Sequence, residues 1–210
     1  MRFPRNLPFY KIALPILFIV GGAMLIAFSL QTVSLTKTQR MRALLSVSVP
    51  TPLALPLPQK TAQCVVKDGL PDVNCTPGAI FSMTTKEAIC TVGYSASVRN
   101  VSVNTKEAVY QAYGLSYPQP SGDYEVDHLV PLELGGSNDS ANLFPEAAEP
   151  RPGFREKDLV ENYLHQEVCA NRVALAVAQR QIATDWRPVY QNLTDAEIRE
   201  LKQQYANWAQ

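Results

Sequence analysis

The N-terminal part of this chain lacks acidic residues altogether, and a long stretch of it lacks charge of either sign. All nineteen acidic residues follow position 59, and residues 12–36 contain no charged side chain. Residues 13–30 are almost wholly apolar, and a run of about 20 such residues can span a bilayer core. Nothing polar interrupts the run before Ser29 to give it a solvent-facing side, which disfavours a helix buried in a soluble core.

A clear signal-peptidase site is also missing. After Phe28 the chain continues SLQTVSLTKTQR, without a small-x-small pattern. Arg2, Arg5 and Lys11 precede the apolar run, as they do in a signal sequence or a signal anchor. The sequence therefore favours an uncleaved transmembrane anchor over residues 1–36, with a cleaved signal sequence as the alternative.

The four cysteines include no CxxC pair, which disfavours a structural zinc knuckle. An even number of cysteines behind an export-type segment is typical of disulfides formed in an oxidising compartment. Of the three possible pairings we expect Cys64–Cys75 with Cys90–Cys169. Four buried thiols in a cytosolic domain are the alternative interpretation.

Prolines divide the rest of the chain. Residues 49–58 hold four of them and predict a stiff, extended spacer. We therefore expect a juxtamembrane and Pro-rich linker over residues 37–59 and one disulfide-braced domain over residues 60–210. That domain is long enough to bury a core of ordinary size.

The domain has no excess of positive charge. Residues 60–210 contain 13 basic and 19 acidic residues, a net charge of −6. Domains that grip nucleic acid chiefly by neutralising phosphates are normally basic, so that mode of binding is disfavoured. A local phosphate contact bridged by a metal ion is not excluded by this balance.

The pattern of apolar residues and breakers predicts an α+β domain in which helices flank one small hairpin. A strand is expected over residues 124–130 and a short return strand over residues 142–144, with Gly135 and Gly136 in the turn. Helical spacing follows over residues 156–168, 173–183 and 194–208. Two earlier capping patterns predict short helices that begin at Thr84 and Asn104.

Residues 123–146, DYEVDHLVPLELGGSNDSANLFPE, carry the candidate chemistry. The carboxylate of Asp127 can hold a hard divalent cation, and the imidazole of His128 can take a proton from water attacking a phosphodiester. Adjacent strand residues normally face opposite ways, so a shared site requires a bend near Pro131. Asn142 can bond the loop backbone and orient the His128 ring, and Glu125 shares the strand face of Asp127.

DHLVPLELGG and NLFPE within this segment resemble the core of HNH nucleases, in which a β-hairpin and a following helix surround one metal ion. The chain is similar over a wider region to a family of bacterial HNH-like proteins. The matching motifs are CTPGA at residues 75–79, GYSASVR at 93–99, KDLVENYLHQEVC at 157–169 and IATDW at 182–186. The resemblance covers residues 71–190, most of the domain.

The resemblance implies a small HNH-like ββα-metal core surrounded by additional helices. It also implies a metal-dependent endonuclease that hydrolyses nucleic-acid phosphodiester bonds, with DNA favoured over RNA as the partner. Asp127 would be a metal ligand, His128 the general base and Asn142 the loop-fixing residue. The cofactor would be one divalent ion, Mg²⁺ or Mn²⁺ rather than Zn²⁺, and the membrane would be reached through the N-terminal helix.

The sequence departs from the family at the start of the following helix, where RPGFREKD at residues 151–158 has no His or Asn. Arg155 stands about where some relatives have His and is a candidate to contact phosphate. Glu156, Asp158 or Glu161 can complete the metal site, and we expect Glu156 and Asp158. Lys157 and Asp158 are also consistent with a solvated helix start.

A second hypothesis belongs to a different class. The chain would keep the HNH scaffold as a non-catalytic, extracytoplasmic domain that binds a protein or an envelope ligand. The missing position and the acidic net charge favour that hypothesis, whereas Asp127, His128 and Asn142 favour the nuclease.

Overall fold

The structure is a computed structural model that describes residues 55–205. The expected anchor over residues 1–36 and most of the expected linker over residues 37–59 lie outside the described residues, as does the end of the last predicted helix. Among residues 55–205, every helix is too short or too polar to pass through a bilayer.

The expected α+β class is confirmed for residues 55–205, which combine α-helices with one two-stranded antiparallel sheet. The elements in chain order are α1 (Lys86–Ile89), α2 (Tyr94–Val98), α3 (Val103–Ala112), β1 (Tyr124–His128), β2 (Leu143–Ala147), α4 (Phe154–Cys169), α5 (Leu175–Thr184), α6 (Arg187–Asn192) and α7 (Asp195–Gln204). Single turns of 3₁₀-helix at Leu132–Leu134 and Ser140–Asn142 lie between the two strands.

The hairpin pairs Asp127 with Phe144 and His128 with Leu143. Strand β1 ends at His128, two residues before the predicted end, because the Asn142 side chain replaces the backbone partner at Val130. Its Oδ1 accepts from the Val130 N–H at 2.9 Å, and its Nδ2 donates to the Val130 carbonyl at 2.9 Å. For the same reason the return strand begins one residue later than predicted, at Leu143.

Helix α4 packs across the hairpin and forms the centre of the core. Val160, Leu164 and Val168 lie on its buried side and belong to the same apolar cluster as Trp186, which is fully buried. The helix begins at Phe154, two residues earlier than predicted, because Glu156 accepts a hydrogen bond from the Gly153 N–H at 2.9 Å. A Cβ at Gly153 would collide with the carbonyl oxygens of the β2 end, so the approach of the chain into this helix requires glycine.

Three further helix starts lie one or two residues from the predicted ones, and one of them is α5, which begins at Leu175 rather than at residue 173. Thr85 caps α1 through its Oγ1, which accepts from the Ala88 N–H at 3.2 Å, so the Thr84 prediction is off by one. Ser102 caps α3, which therefore begins before Asn104. The short helices α2 and α6 were not predicted, since five or six residues are too few to show a helical period.

Both disulfides have the expected pairing. Cys64–Cys75 closes a loop in the N-terminal part of the described region, and Cys90–Cys169 joins the end of α1 to the end of α4. Disulfides of this kind persist in oxidising compartments. All four cysteines are therefore structural in this fold.

Candidate functional site

Lys157 occupies the space between β1 and α4. Its side chain is fully buried, and its ammonium donates to Asp127 Oδ2 at 2.6 Å, to the His128 carbonyl at 2.7 Å and to the Glu161 carboxylate. The expectation of a solvated helix start is therefore wrong for Lys157. The helix positions this residue so that its charge faces the hairpin.

Three carboxyl groups share this single ammonium, since Glu146 Oε2 also lies 3.9 Å from Lys157 Nζ. Burial raises the pKa of Glu146 and of Glu161 well above the usual range, although Lys157 opposes the effect. Burial would also raise the pKa of Asp127, but the attraction of Lys157, together with hydrogen bonds from Glu146 and Lys157, outweighs it, and the pKa of Asp127 is lowered. Asp127 is therefore the ionised partner of Lys157, and the excess negative charge is reduced by protonation of its neighbours.

His128 points to different partners from Asp127, as expected for adjacent strand residues. It is 3% exposed, and its Nε2 lies 3.2 Å from Asn138 Oδ1. Because Asn138 Nδ2 donates to the Val98 carbonyl at 2.7 Å, Oδ1 is the acceptor, and the network assigns the proton to His128 Nε2. Burial lowers the pKa of His128, which keeps the imidazole neutral and leaves Nδ1 as the basic nitrogen.

Asn142 is fully buried and bonds only to the backbone. Besides the two bonds to Val130, its Nδ2 donates to the Ser137 carbonyl at 2.9 Å and its Oδ1 accepts from the Ala79 N–H at 3.3 Å. A Cβ at Gly136 would collide with the Val130 carbonyl, so the loop closes tightly around the amide. Asn142 therefore fixes the loop, whereas the ring of His128 is oriented by Asn138.

A cavity of about 490 Å³ opens beside the β1–α4 contact, and we call it the acidic cavity. Its wall carries five carboxyl groups, those of Glu125, Asp127, Glu133, Asp158 and Glu161. Arg99 and Lys106 also line it. Burial, with added repulsion from Asp127, raises the pKa of Glu125 to about 8 and that of Asp158 to about 7. Five acidic side chains thus face two basic ones in the cavity wall, and burial opposes the ionisation of several of the acids.

Glu133 is the least satisfied member of this wall. It lies on the turn Leu132–Leu134, its residue is 9% exposed, and its Oε1 has no hydrogen-bond partner within residues 55–205. Buried polar atoms are nearly always paired with protein, water or a ligand. The turn therefore presents an uncompensated carboxylate oxygen at the cavity.

The metal implied by the resemblance does not fit on Asp127. One oxygen of Asp127 accepts from the His128 N–H at 2.7 Å and the other from the Lys157 ammonium at 2.6 Å. A divalent cation placed there would lie against the ammonium and be repelled by it. Glu156 does not line the cavity either, because its carboxylate caps Gly153 and pairs with Arg151 at 2.6 Å.

The residues do fit a hard cation elsewhere in the cavity, because Asp158 and Glu133 both face it without a paired cation. Within the described residues no three carboxylates approach within 4.8 Å of one another, so one ion would take one or two of them. Mg²⁺ binds proteins in that way and keeps several waters. Of the three expected metal ligands, the structure thus keeps Asp158 in a position to bind an ion.

Arg155 lies at the exposed start of α4. Its guanidinium sits 4.6 Å from the centre of the Phe154 ring and donates to the Gly122 carbonyl at 3.4 Å. Arg99, which follows the Val98 carbonyl that holds Asn138, lines the cavity instead. Arg99, rather than Arg155, therefore lines the cavity, and its charge acts with burial to lower the pKa of His128.

A second group of metal-binding residue types lies at the far end of α4. The donor atoms of Cys90, His165 and Cys169 lie within 4.8 Å of one another. The two sulfurs are joined as a disulfide, whereas metal ions bind the thiolate. His165 Nε2 lies 3.0 Å from the Ile89 carbonyl and 3.4 Å from Cys169 Sγ, which agrees with the arrangement of a structural histidine.

Sequence reasoning missed four residues of this site, Asn138, Lys157, Glu146 and Glu133. Lys157 and Glu161 are four apart on a helix, which usually indicates a surface ion pair. Asn138 lies four residues before Asn142, and Glu146 is the last residue of NLFPE. Both stand inside the motif region, but no spacing rule assigns either of them a partner. The clearest usable signal was Glu125, whose strand parity with Asp127 placed it on the cavity side.

No protein-family model matches the chain, and neither a curated protein nor a solved structure matches it.

Proposed function

We propose that this domain is an HNH-like phosphodiester hydrolase that acts on nucleic acid outside the cytoplasm, tethered by the apolar N-terminal segment. The observation that carries the proposal is His128, a buried neutral imidazole whose ring is fixed by Asn138. It stands on a hairpin that is locked by Asn142 and packed against helix α4. A neutral imidazole with one free nitrogen is the form that a general base requires.

In the proposed reaction His128 Nδ1 takes a proton from a water molecule. The water oxygen forms a bond to phosphorus while the bond from phosphorus to the leaving oxygen breaks, and that oxygen gains a proton from solvent. Arg99 would bind the non-bridging phosphate oxygens, since it lines the acidic cavity and its charge acts on His128. A divalent cation bound in the cavity would supply the stabilisation of the charge developing on the leaving oxygen.

The charge of the cavity limits how the substrate is held. The ionised carboxyl groups among its lining residues repel a polyanion, whereas Arg99 and Lys106 attract it. A bound divalent cation would reverse the local field. We therefore expect cleavage to require a metal ion even though the ion has no place on Asp127.

The test is cleavage of plasmid DNA and of RNA by the full chain with its disulfides formed, with Mg²⁺, Mn²⁺ or EDTA. His128→Gln should lower the metal-dependent rate by about 10² to 10⁴, the usual contribution of a general base. His165→Gln is the matched control and should retain the wild-type rate. An unchanged rate in the His128→Gln variant, or no cleavage by folded wild-type protein, would refute the proposal.

The second candidate is a non-catalytic domain on the same scaffold that binds a partner outside the cytoplasm. The observations favouring it are the ammonium of Lys157 on Asp127 and the 3% exposure of His128, since both restrict access to the motif residues. In that case folded protein would cleave neither substrate under any metal condition.

A further inference from the structure

We propose a divalent-cation site in the acidic cavity, held by the carboxylates of Glu133 and Asp158 and separate from Asp127. The site specifies the metal of the proposed hydrolase, so its catalytic role rests on the proposed function. Its existence does not depend on that function. The expected occupant is Mg²⁺ or Mn²⁺ with part of its water shell.

The first step of the argument is Glu133. Its carboxylate is carried on a short turn whose backbone is fixed by the Leu134 N–H, which donates to the Pro131 carbonyl at 3.0 Å. The residue is 9% exposed, and Oε1 has no partner within residues 55–205. A buried polar atom without a partner is costly, and a cation bound to it would remove that cost.

The second step is Asp158. It lies on α4 next to Lys157, but the Lys157 ammonium is directed to Asp127 and Glu161, and Asp158 forms no ion pair among the described residues. Its side chain lines the acidic cavity together with that of Glu133. Asp158 is thus a carboxyl group in the cavity wall without a paired cation among the described residues.

The third step is that the acids near the start of α4 are unequally paired. The Lys157 ammonium pairs with Asp127, so the position where the resemblance places a metal ion already holds a positive charge. Glu133 and Asp158 remain, with Glu125 close enough to Asp158 for the two to repel each other. An added cation would therefore be attracted to the Glu133–Asp158 side of the cavity.

The donor set and the space select the kind of cation. All candidate donors are oxygens, which suit Mg²⁺ or Mn²⁺. Zn²⁺ favours histidine and thiolate ligands, and the Cys90–His165–Cys169 group is joined by a disulfide at the other end of α4. A volume of about 490 Å³ accommodates an ion with several waters, each of which takes about 30 Å³ in the liquid.

The experiment is thermal unfolding of the full chain, disulfides formed, in EDTA and in millimolar Mg²⁺ or Mn²⁺. Bound cation should raise the melting temperature of the wild type, because a ligand that binds only the folded state stabilises it. Glu133→Gln and Asp158→Asn should each lose most of that shift. Asp127→Asn should keep it, and so should Glu107→Gln, an exposed control on α3.

The shift in melting temperature, compared among the variants, distinguishes a site on Glu133 and Asp158 from a site on Asp127. Loss of the shift in Asp127→Asn with retention in the other two would overturn the proposal, as would a folded wild type that shows no shift. A shift produced by spermidine and not by either metal would also overturn it. Electron paramagnetic resonance of Mn²⁺ with the wild type counts bound ions directly and does not depend on any variant folding.

The outcomes also distinguish this inference from the proposed function. Metal binding that depends on Glu133 and Asp158, without cleavage of any substrate, would support the site and refute the hydrolase. Metal-dependent cleavage by the wild type, with metal binding unchanged in Glu133→Gln and Asp158→Asn, would support the hydrolase and refute the site.

Discussion

The ammonium of Lys157 lies 2.6 Å from Oδ2 of Asp127, with the lysine side chain fully buried. This pair joins helix α4 to strand β1, and it leaves no place for a metal ion on Asp127. A buried ion pair costs desolvation of both charges, so it persists only where further hydrogen bonds satisfy the remaining groups. Here the His128 carbonyl and the Glu161 carboxylate supply them.

Replacing Lys157 should be strongly destabilising. Lys157→Met keeps much of the side-chain volume but leaves Asp127 and Glu161 as buried acids without a cation. Breaking a buried pair in this way costs about 3–5 kcal/mol, which chemical denaturation would measure. Lys106→Met removes a lysine from the cavity rim and should leave the free energy of unfolding nearly unchanged. Equal stability of the two variants would contradict the central role of Lys157.

Asn142 should matter for stability through the loop alone. Asn142→Asp keeps an acceptor for the Val130 N–H but removes the donor to the Val130 and Ser137 carbonyls. Leaving buried groups unsatisfied costs about 1–3 kcal/mol each, so we expect a loss of about 2–4 kcal/mol and faster amide exchange at Val130. The exposed Asn104→Asp variant is the control. Unchanged amide exchange in Asn142→Asp would show that the loop does not depend on this amide.

The two disulfides should contribute unequally. Cys90–Cys169 spans 79 residues and Cys64–Cys75 spans 11. The loop-entropy relation gives about 4–5 kcal/mol for the long loop and about 3 kcal/mol for the short one. Double Cys→Ser variants of each pair, compared by chemical denaturation, would check the order. A larger loss from Cys64–Cys75 would show that native contacts, not loop length, dominate.

The acidic cavity should make the fold less stable as pH rises. The pKa of Glu125 is about 8 in the folded state against 4.5 for an ordinary glutamic acid, so the folded state keeps a proton that the unfolded state has released. Stability from this group is full below about 4.5 and lost as pH passes 8. The charged groups facing Glu125 are Asp127 and Asp158, which raise its pKa, and Lys157 and Arg155, which lower it.

His128 acts in the opposite sense at lower pH, because its pKa is lowered from 6.5 and the unfolded state binds the extra proton. The free energy of unfolding should therefore be compared between pH 7.5 and pH 8.5, where His128 is largely neutral in both the folded and the unfolded state. It should fall over that range in the wild type and fall less in Glu125→Gln. Glu107→Gln should behave as the wild type does. A stability that rises over this range would contradict the assignment.

The hairpin and the following helix could be predicted because each depends on a local pattern, whereas the disulfide pairing was a choice among three possibilities that the structure confirms. Alternation placed β1, and helical spacing placed α4. Lys157 could not be predicted to be buried, because an i, i+4 pair with Glu161 is the usual pattern of a solvated face, and only the approach of β1 encloses it. Glu156 was expected in the metal site, but residues two apart on a helix point about 200° apart, so Glu156 lies on the opposite side from Asp158 and its carboxylate caps Gly153.

The orientation of His128 is the most direct test of the site's chemistry. Asn138 Oδ1 must act as an acceptor because its amide nitrogen donates to Val98, so His128 should carry its proton on Nε2 in the neutral form. Nitrogen-15 NMR of the ring should show that tautomer in the wild type. Asn138→Ala removes the acceptor and should lower the pKa of His128 further, since the bond to Asn138 favours the charged ring. A predominant Nδ1–H tautomer in the wild type would remove the free nitrogen assigned to catalysis, and Asn138 would then be a support for the loop alone.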